Sequence, residues 1–117
     1  MITEEPTNWK DLQDKVNFIL NGVGLKSEKE VSLNTPRGSV VIDVYVLDPK
    51  SVDQIKYIIE CKNWNNSIPQ TVVHSFTTVM NETGDNIGYI ISKKGFQKGT
   101  LEYSDNTNIK LFSYNQF

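Results

Sequence analysis

An apolar run that ends in two opposite charges, Tyr57-Ile-Ile-Glu-Cys-Lys62, constrains this chain more than any other segment. Its first residues read as a buried strand. Strand alternation then places Glu60 and Lys62 on one face, with Cα atoms roughly 7 Å apart, and turns Cys61 to the other. A buried charge without a partner is costly, so a buried strand finishing Glu-x-Lys needs a reason. The preceding segment, Gly38-Ser-Val-Val-Ile-Asp-Val-Tyr-Val46, holds another carboxylate, Asp43, within a β-branched run. Between the two runs, Asp48-Pro-Lys-Ser-Val-Asp-Gln54 has the composition of a turn, which predicts an antiparallel hairpin on which Asp43 and Glu60 converge. Two hard carboxylate oxygens and a strand-end carbonyl suit Mg²⁺, which keeps several waters and takes its other ligands from a phosphate. A plainer reading also fits: Asp43 on a solvated strand face, and Glu60 with Lys62 as a surface ion pair of little energetic weight.

A coarse pass predicts the rest. Asn8 caps a helix from Trp9 to about Asn21, whose apolar face is Trp9, Leu12, Val16, Ile19, Leu20 and Val23, with Gln13 on its flank and Asp14 nearly opposite. Residues 28–33 form a first strand and the hairpin follows. Ser67-Ile-Pro-Gln70 is a capping-box pattern opening a helix with Val72, Val73, Phe76, Val79 and Met80 at helical spacing, which Gly84 ends. A strand at 87–92, a helix at 97–105 and a strand at 109–114 complete an alternation that predicts a mixed sheet covered on both faces.

Asp43 followed by Glu60-Cys61-Lys62 stands among further stretches: Trp9-Lys-Asp-Leu12, Arg37-Gly38, Ile42-Asp-Val-Tyr45, Ile59-Glu-Cys-Lys-Asn-Trp64, Ile68-Pro-Gln70, Gly88-Tyr-Ile-Ile-Ser-Lys93, Gly95-Phe-Gln97 and Asn108-Ile-Lys-Leu111. In this order they resemble the Mrr-type restriction endonuclease group of the PD-(D/E)xK, restriction-endonuclease-like nucleases. The resemblance implies one nuclease domain over residues 1–117, a three-layer α/β/α sandwich with a central mixed β-sheet, and metal-dependent hydrolysis of DNA phosphodiesters. Asp43, Glu60 and Lys62 would be catalytic, with Asp43, Glu60 and the Cys61 carbonyl holding Mg²⁺, or Mn²⁺ as its substitute. Gln13, Arg37, Gln70 and Lys93 are the candidate substrate contacts. The sequence departs from the family's pattern where Ile42 replaces a frequent Pro, and where Gln13 takes the position of a first-helix Glu. An amide is a weaker metal ligand, which weighs against a second metal ion and, to a lesser degree, against activity itself.

A net charge of −2 and a pI near 5.3 argue against a protein that coats DNA through general electrostatics. A nuclease needs only a local basic rim, for which Lys62, Lys93, Lys94, Lys98 and Arg37 are available, while Glu4, Glu5, Asp11 and Asp14 gather on the first segment. The lone Cys61 excludes an internal disulfide and cannot build a zinc site with the single His74. No run reaches the length of a membrane span, and Met1-Ile-Thr-Glu-Glu lacks the basic start of a signal peptide, so a cytoplasmic protein is the simplest inference. His74 reads as a solvated helix residue, and Trp64 as packing at the strand end or, if exposed, as a platform for a base.

One site cuts one strand, so a double-strand break requires two protomers or two binding events, and a homodimer is the expectation. No helix-turn-helix or zinc finger is visible, leaving specificity open and a separate targeting domain or subunit conceivable. Two alternatives stand beside the DNase: a Holliday-junction resolvase-like enzyme, and a catalytically silent nuclease fold that binds nucleic acid or a partner protein.

Overall fold

The computed structural model describes residues 5–85, 87–104, 107–114 and 116–117. Glu4, Asp105 and Asn106 lie outside them. Five strands form one sheet in chain order: β1 (Lys26–Thr35), β2 (Gly38–Leu47), β3 (Lys56–Lys62), β4 (Ile87–Ser92) and β5 (Ile109–Ser113). β1, β2 and β3 are antiparallel neighbours joined by short turns, as the hairpin reading requires. β3, β4 and β5 run parallel. Parallel neighbours need long crossovers, and helices α2 (Gln70–Thr83) and α3 (Lys98–Ser104) supply them while packing on each other.

Helix α1 (Trp9–Gly22) covers the opposite face. Its Leu12, Val16 and Leu20 are buried against Val44, Val46, Ile59, Cys61 and Ile91. On the other side Val73, Phe76 and Met80 of α2 pack on Ile42, Ile58, Ile90 and Ile109. The result is the three-layer α/β/α sandwich with a mixed sheet. Each fully buried aliphatic side chain contributes about 1.5–3 kcal/mol relative to exposure.

Local chemistry accounts for the element ends. The Asn8 side chain accepts a hydrogen bond from the Asp11 N–H at 2.9 Å, capping α1 as expected. After the helix, Gly24 takes φ +93 and the chain turns into β1, where the Asn21 amide holds both backbone groups of Ser27. Gly84 closes α2 in the left-handed conformation at φ +71.

Three local expectations are corrected. Trp9 is 49% exposed and Val23 68%, because Trp9 borders an open cavity and Val23 is the C-cap past the last helical residue, while Gln13 belongs to the buried face rather than its flank. No capping box forms at Ser67: α2 starts at Gln70, with Pro69 as an N-cap that has no side-chain hydrogen bond. The reason is Ile68, which is held in a bridge to Phe96, its N–H donating to the Gly95 carbonyl and its carbonyl accepting from Gln97 N–H, each at 3.0 Å. That tether keeps Ser67 outside the helix.

The α2–β4 contact leaves no room for a side chain at Gly88. A Cβ there would sit 2.5 Å from both Met80 Sδ and Phe76 Cε2. Gly88→Ala is expected to lose about 1–3 kcal/mol in urea unfolding, whereas Gly22→Ala, with nothing within 4 Å of the new methyl, should lose none.

Candidate active site

The site arises where β2 and β3 part. Their ladder ends at the pair Val44↔Ile59, but β3 continues to Lys62 alongside β4 alone. The Cys61 N–H, which has lost its strand partner, donates instead to Asp43 Oδ2 at 2.8 Å. This bond fixes Asp43 beside the Glu-x-Lys end of β3.

β2 is distorted at the same point. Ile42 packs under α2 and Val44 under α1, although residues two apart in a regular strand share a face. The pairing of β1 with β2 skips the step between Lys29↔Val44 and Val31↔Ile42, where Glu30 faces Asp43. Glu30 has φ +52, a left-handed conformation that is strained for a residue with a Cβ. The twist there lets Asp43 leave the regular pleat.

Alternation along β3 holds. Glu60 and Lys62 share a face, with Lys62 Nζ 3.4 Å from Glu60 Oε1, and Cys61 is buried in the α1 core. Lys62 also lies over the Trp64 ring, 5.0 Å from its centroid. Together with Gln13, Asp43 and Trp9, these residues line a cavity of about 370 Å³ at the N-terminal end of α1. A second depression on the far side of Glu60 and Lys62 is bounded by Thr71, Val72 and Ser75 of α2.

Two carboxylates face one ammonium in this cavity. Burial first, and then the Asp43 charge, push the Glu60 carboxyl up to about 7, with Lys62 opposing them. Burial, followed by the same two carboxylates, raises the Cys61 thiol well above its ordinary range, so it is not a thiolate nucleophile near neutral pH.

The structure brings together Asp43, Glu60, Cys61, Lys62 and Gln13 from the residues singled out in the sequence. It does not bring three others to the cavity. Arg37, on the β1–β2 turn, is engaged by Glu82, its Nε 2.7 Å from Glu82 Oε1. Gln70 is exposed at the start of α2, beside a separate depression with Thr71, His74 and Ser75. Lys93 lies 3.5 Å from Glu5 Oε1 and donates to Asn65 Oδ1. For Arg37 and Lys93 an acidic or amide partner distant in sequence sets the side chain's direction. Thr7, Asn8 and Trp9 line the cavity and were missed as site residues; the helix-start signature at Asn8 and the Trp9-Lys-Asp-Leu12 stretch were their signals.

A mixed sheet whose central hairpin delivers Asp and Glu-x-Lys to a parted strand end is the restriction-endonuclease-like fold. The family model Mrr_cat, described as restriction endonuclease, matches residues 5–117, and the chain belongs to that family. Among solved structures it is similar to AF1548, a protein of unknown function, with a TM-score of 0.79 at 19% identity over 92% of this chain and 59% of the other. It is also similar to a repair endonuclease from Pyrococcus abyssi, with a TM-score of 0.59 at 15% identity over 93% of this chain and 48% of that one. At these identities the likeness is one of fold, and the chain spans less than two thirds of either structure. No curated protein matches its sequence.

Glu60 gives the site a pH signature without any ligand. Folded, it keeps its proton up to about pH 7, against 4.5 for an ordinary glutamate. Between these values the folded state binds a proton that the unfolded state has released, so stability falls as pH rises through this window. Thermal melts in EDTA should show Glu60→Gln gaining on the wild type as pH rises, by on the order of 5 °C at about pH 8. An unchanging difference across that range would show that Glu60 titrates normally.

Proposed function

We propose that this chain is a metal-dependent endonuclease that hydrolyses DNA phosphodiesters. The observation that carries the reading is the meeting of Asp43 and Glu60 at the parted strand end, with the Lys62 ammonium 3.4 Å from Glu60. Among the described residues no cluster of three or more His, Cys, Asp or Glu side chains could hold a metal ion. The two carboxylates nevertheless fit Mg²⁺, which needs only one or two protein carboxylates beside water and phosphate oxygens. The elevated Glu60 carboxyl also supports a bound cation, since a divalent ion would replace the proton that now relieves the repulsion from Asp43.

Asp43, Glu60 and the Cys61 carbonyl would hold the ion, with Mn²⁺ as a substitute. When bound, it would polarise the scissile phosphate and acidify a water. Asp43 is already oriented, because the Cys61 N–H donates to one of its oxygens and the Glu60 carboxyl shares a hydrogen bond with it that a bound cation would displace. Lys62 would turn from Glu60 toward the phosphate, donating to an oxygen on which negative charge grows as water adds to phosphorus and the P–O bond breaks. The Trp64 ring beside its ammonium limits where Lys62 can swing.

Gln13 distinguishes this site from one with three carboxylates. It is 4% exposed and lines the cavity, so its amide stands where an acidic side chain would add a further hard ligand. The reading is therefore of one metal ion. Gln13 is also the observation that favours a silent, nucleic-acid-binding domain as the second reading. A protomer with one such site would make a double-strand break as a homodimer or by two binding events. Sequence or methylation specificity would come from a separate targeting domain or subunit. Among the described residues no helix is long and apolar enough to cross a membrane; the cytoplasmic placement rests on the sequence.

Supercoiled plasmid tests the reading. Mg²⁺ or Mn²⁺ should support nicking or linearisation, EDTA should abolish it, and Asp43→Ala and Lys62→Ala should each lower the rate by at least about 100-fold. A folded wild-type protein that cuts with neither metal would transfer the case to the silent domain. Gln13→Glu should lower the Mg²⁺ concentration needed for half-maximal cleavage, by about tenfold for 1.4 kcal/mol of added binding; an unchanged requirement would remove residue 13 from the ion's surroundings.

A further inference from the structure

We infer that the cavity receives an unpaired nucleotide, its base stacked on the indoles of Trp9 and Trp64, so that the site acts on single-stranded or locally unpaired DNA in preference to intact duplex. This deepens the nuclease reading above and rests on it for the chemistry, though not for the binding.

The chain has only two tryptophans, and both line the cavity that holds Asp43 and Glu60. They are 49% and 43% exposed, so neither serves the core. Each has an ammonium against its ring: Lys10 is 5.4 Å from the Trp9 centroid and Lys62 is 5.0 Å from that of Trp64. Large exposed aromatic surfaces flanked by cations are how proteins hold a single strand, the ring taking a base and the ammonium a phosphate. A base inside a duplex has both faces covered by its neighbours and offers nothing to an indole. An unpaired base has a free face.

Lys62 joins the two functions. Its ammonium lies over the Trp64 ring and stands 3.4 Å from Glu60, so a base on Trp64 brings its own phosphate toward the carboxylate pair. A cavity of about 370 Å³ has the size of a small-ligand pocket rather than of a groove for a double helix. The acidic chain, at net charge −2, lacks the broad electrostatic attraction by which duplex is usually held, which leaves stacking with a larger share of the affinity.

Because both indoles lie at the site, intrinsic tryptophan emission reports on it directly. The experiment uses the Asp43→Asn protein with Mg²⁺, which avoids cleavage, and titrates it with oligothymidine of about 12 nucleotides and with a blunt duplex of equal length. Oligothymidine should quench the emission and bind more tightly than the duplex. Trp64→Ala and Trp9→Ala, each checked for folding by circular dichroism, should weaken single-strand binding by about 5- to 100-fold, and Trp64→Phe should retain most of it. Equal or tighter binding of duplex, or single-strand affinity unchanged in both alanine variants, would overturn the inference. Quenching by the single strand in a protein whose wild type cuts nothing would uphold the stacking site and remove the nuclease. Metal-dependent plasmid cleavage without any stacking would do the reverse.

Discussion

The sheet is organised by the burial of β3 on both faces. Ile58 is closed over by α2 and Ile59 by α1, so the strand cannot shift by one residue without exchanging its two cores. That register places Glu60, Cys61 and Lys62 at the first positions beyond the reach of β2. A strand fixed on both faces but deserted along one edge must settle its free backbone groups in some other way. The Cys61 N–H does so by taking Asp43, and one structural necessity thereby builds half of the candidate site.

Charge is arranged with comparable economy. The protein is acidic overall, and the cations singled out in the sequence are already committed: Lys62 to Glu60 and the Trp64 ring, Lys93 to Glu5, Arg37 to Glu82. Such partly exposed pairs are individually weak. The cavity's buried polar side chain at the first helix is the neutral amide of Gln13 rather than a third carboxylate.

Much of this was legible in the sequence. Apolar, β-branched runs bounded by turn residues located β2, β3 and β4, and the helical spacing in 72–80 located α2, because burial on a regular element leaves a regular trace. Asp43, Glu60 and Lys62 were readable for the same reason: a charge inside such a trace is conspicuous. What could not be read depends on contacts between distant segments. Ser67 lost its capping role to the bridge between Ile68 and Phe96, Arg37 was drawn off by a residue 45 positions away, and Trp9 borders the open cavity instead of joining the core. The irregularity at Glu30 left no trace either, since a left-handed glutamate is not a residue that composition would nominate.

That irregularity also bears on how the molecule meets others of its kind. β1 is an edge strand of ten residues, long enough for its free backbone groups to recruit a strand from a neighbouring molecule. The left-handed turn of the backbone at Glu30 interrupts that row near its middle, and Lys26, Glu28 and Lys29 crowd the portion before it with exposed charge. The outer rim of the sheet is thus split into two pieces, each too short to template a continuous ladder, and the distortion that frees Asp43 also guards the protein against edge-to-edge aggregation.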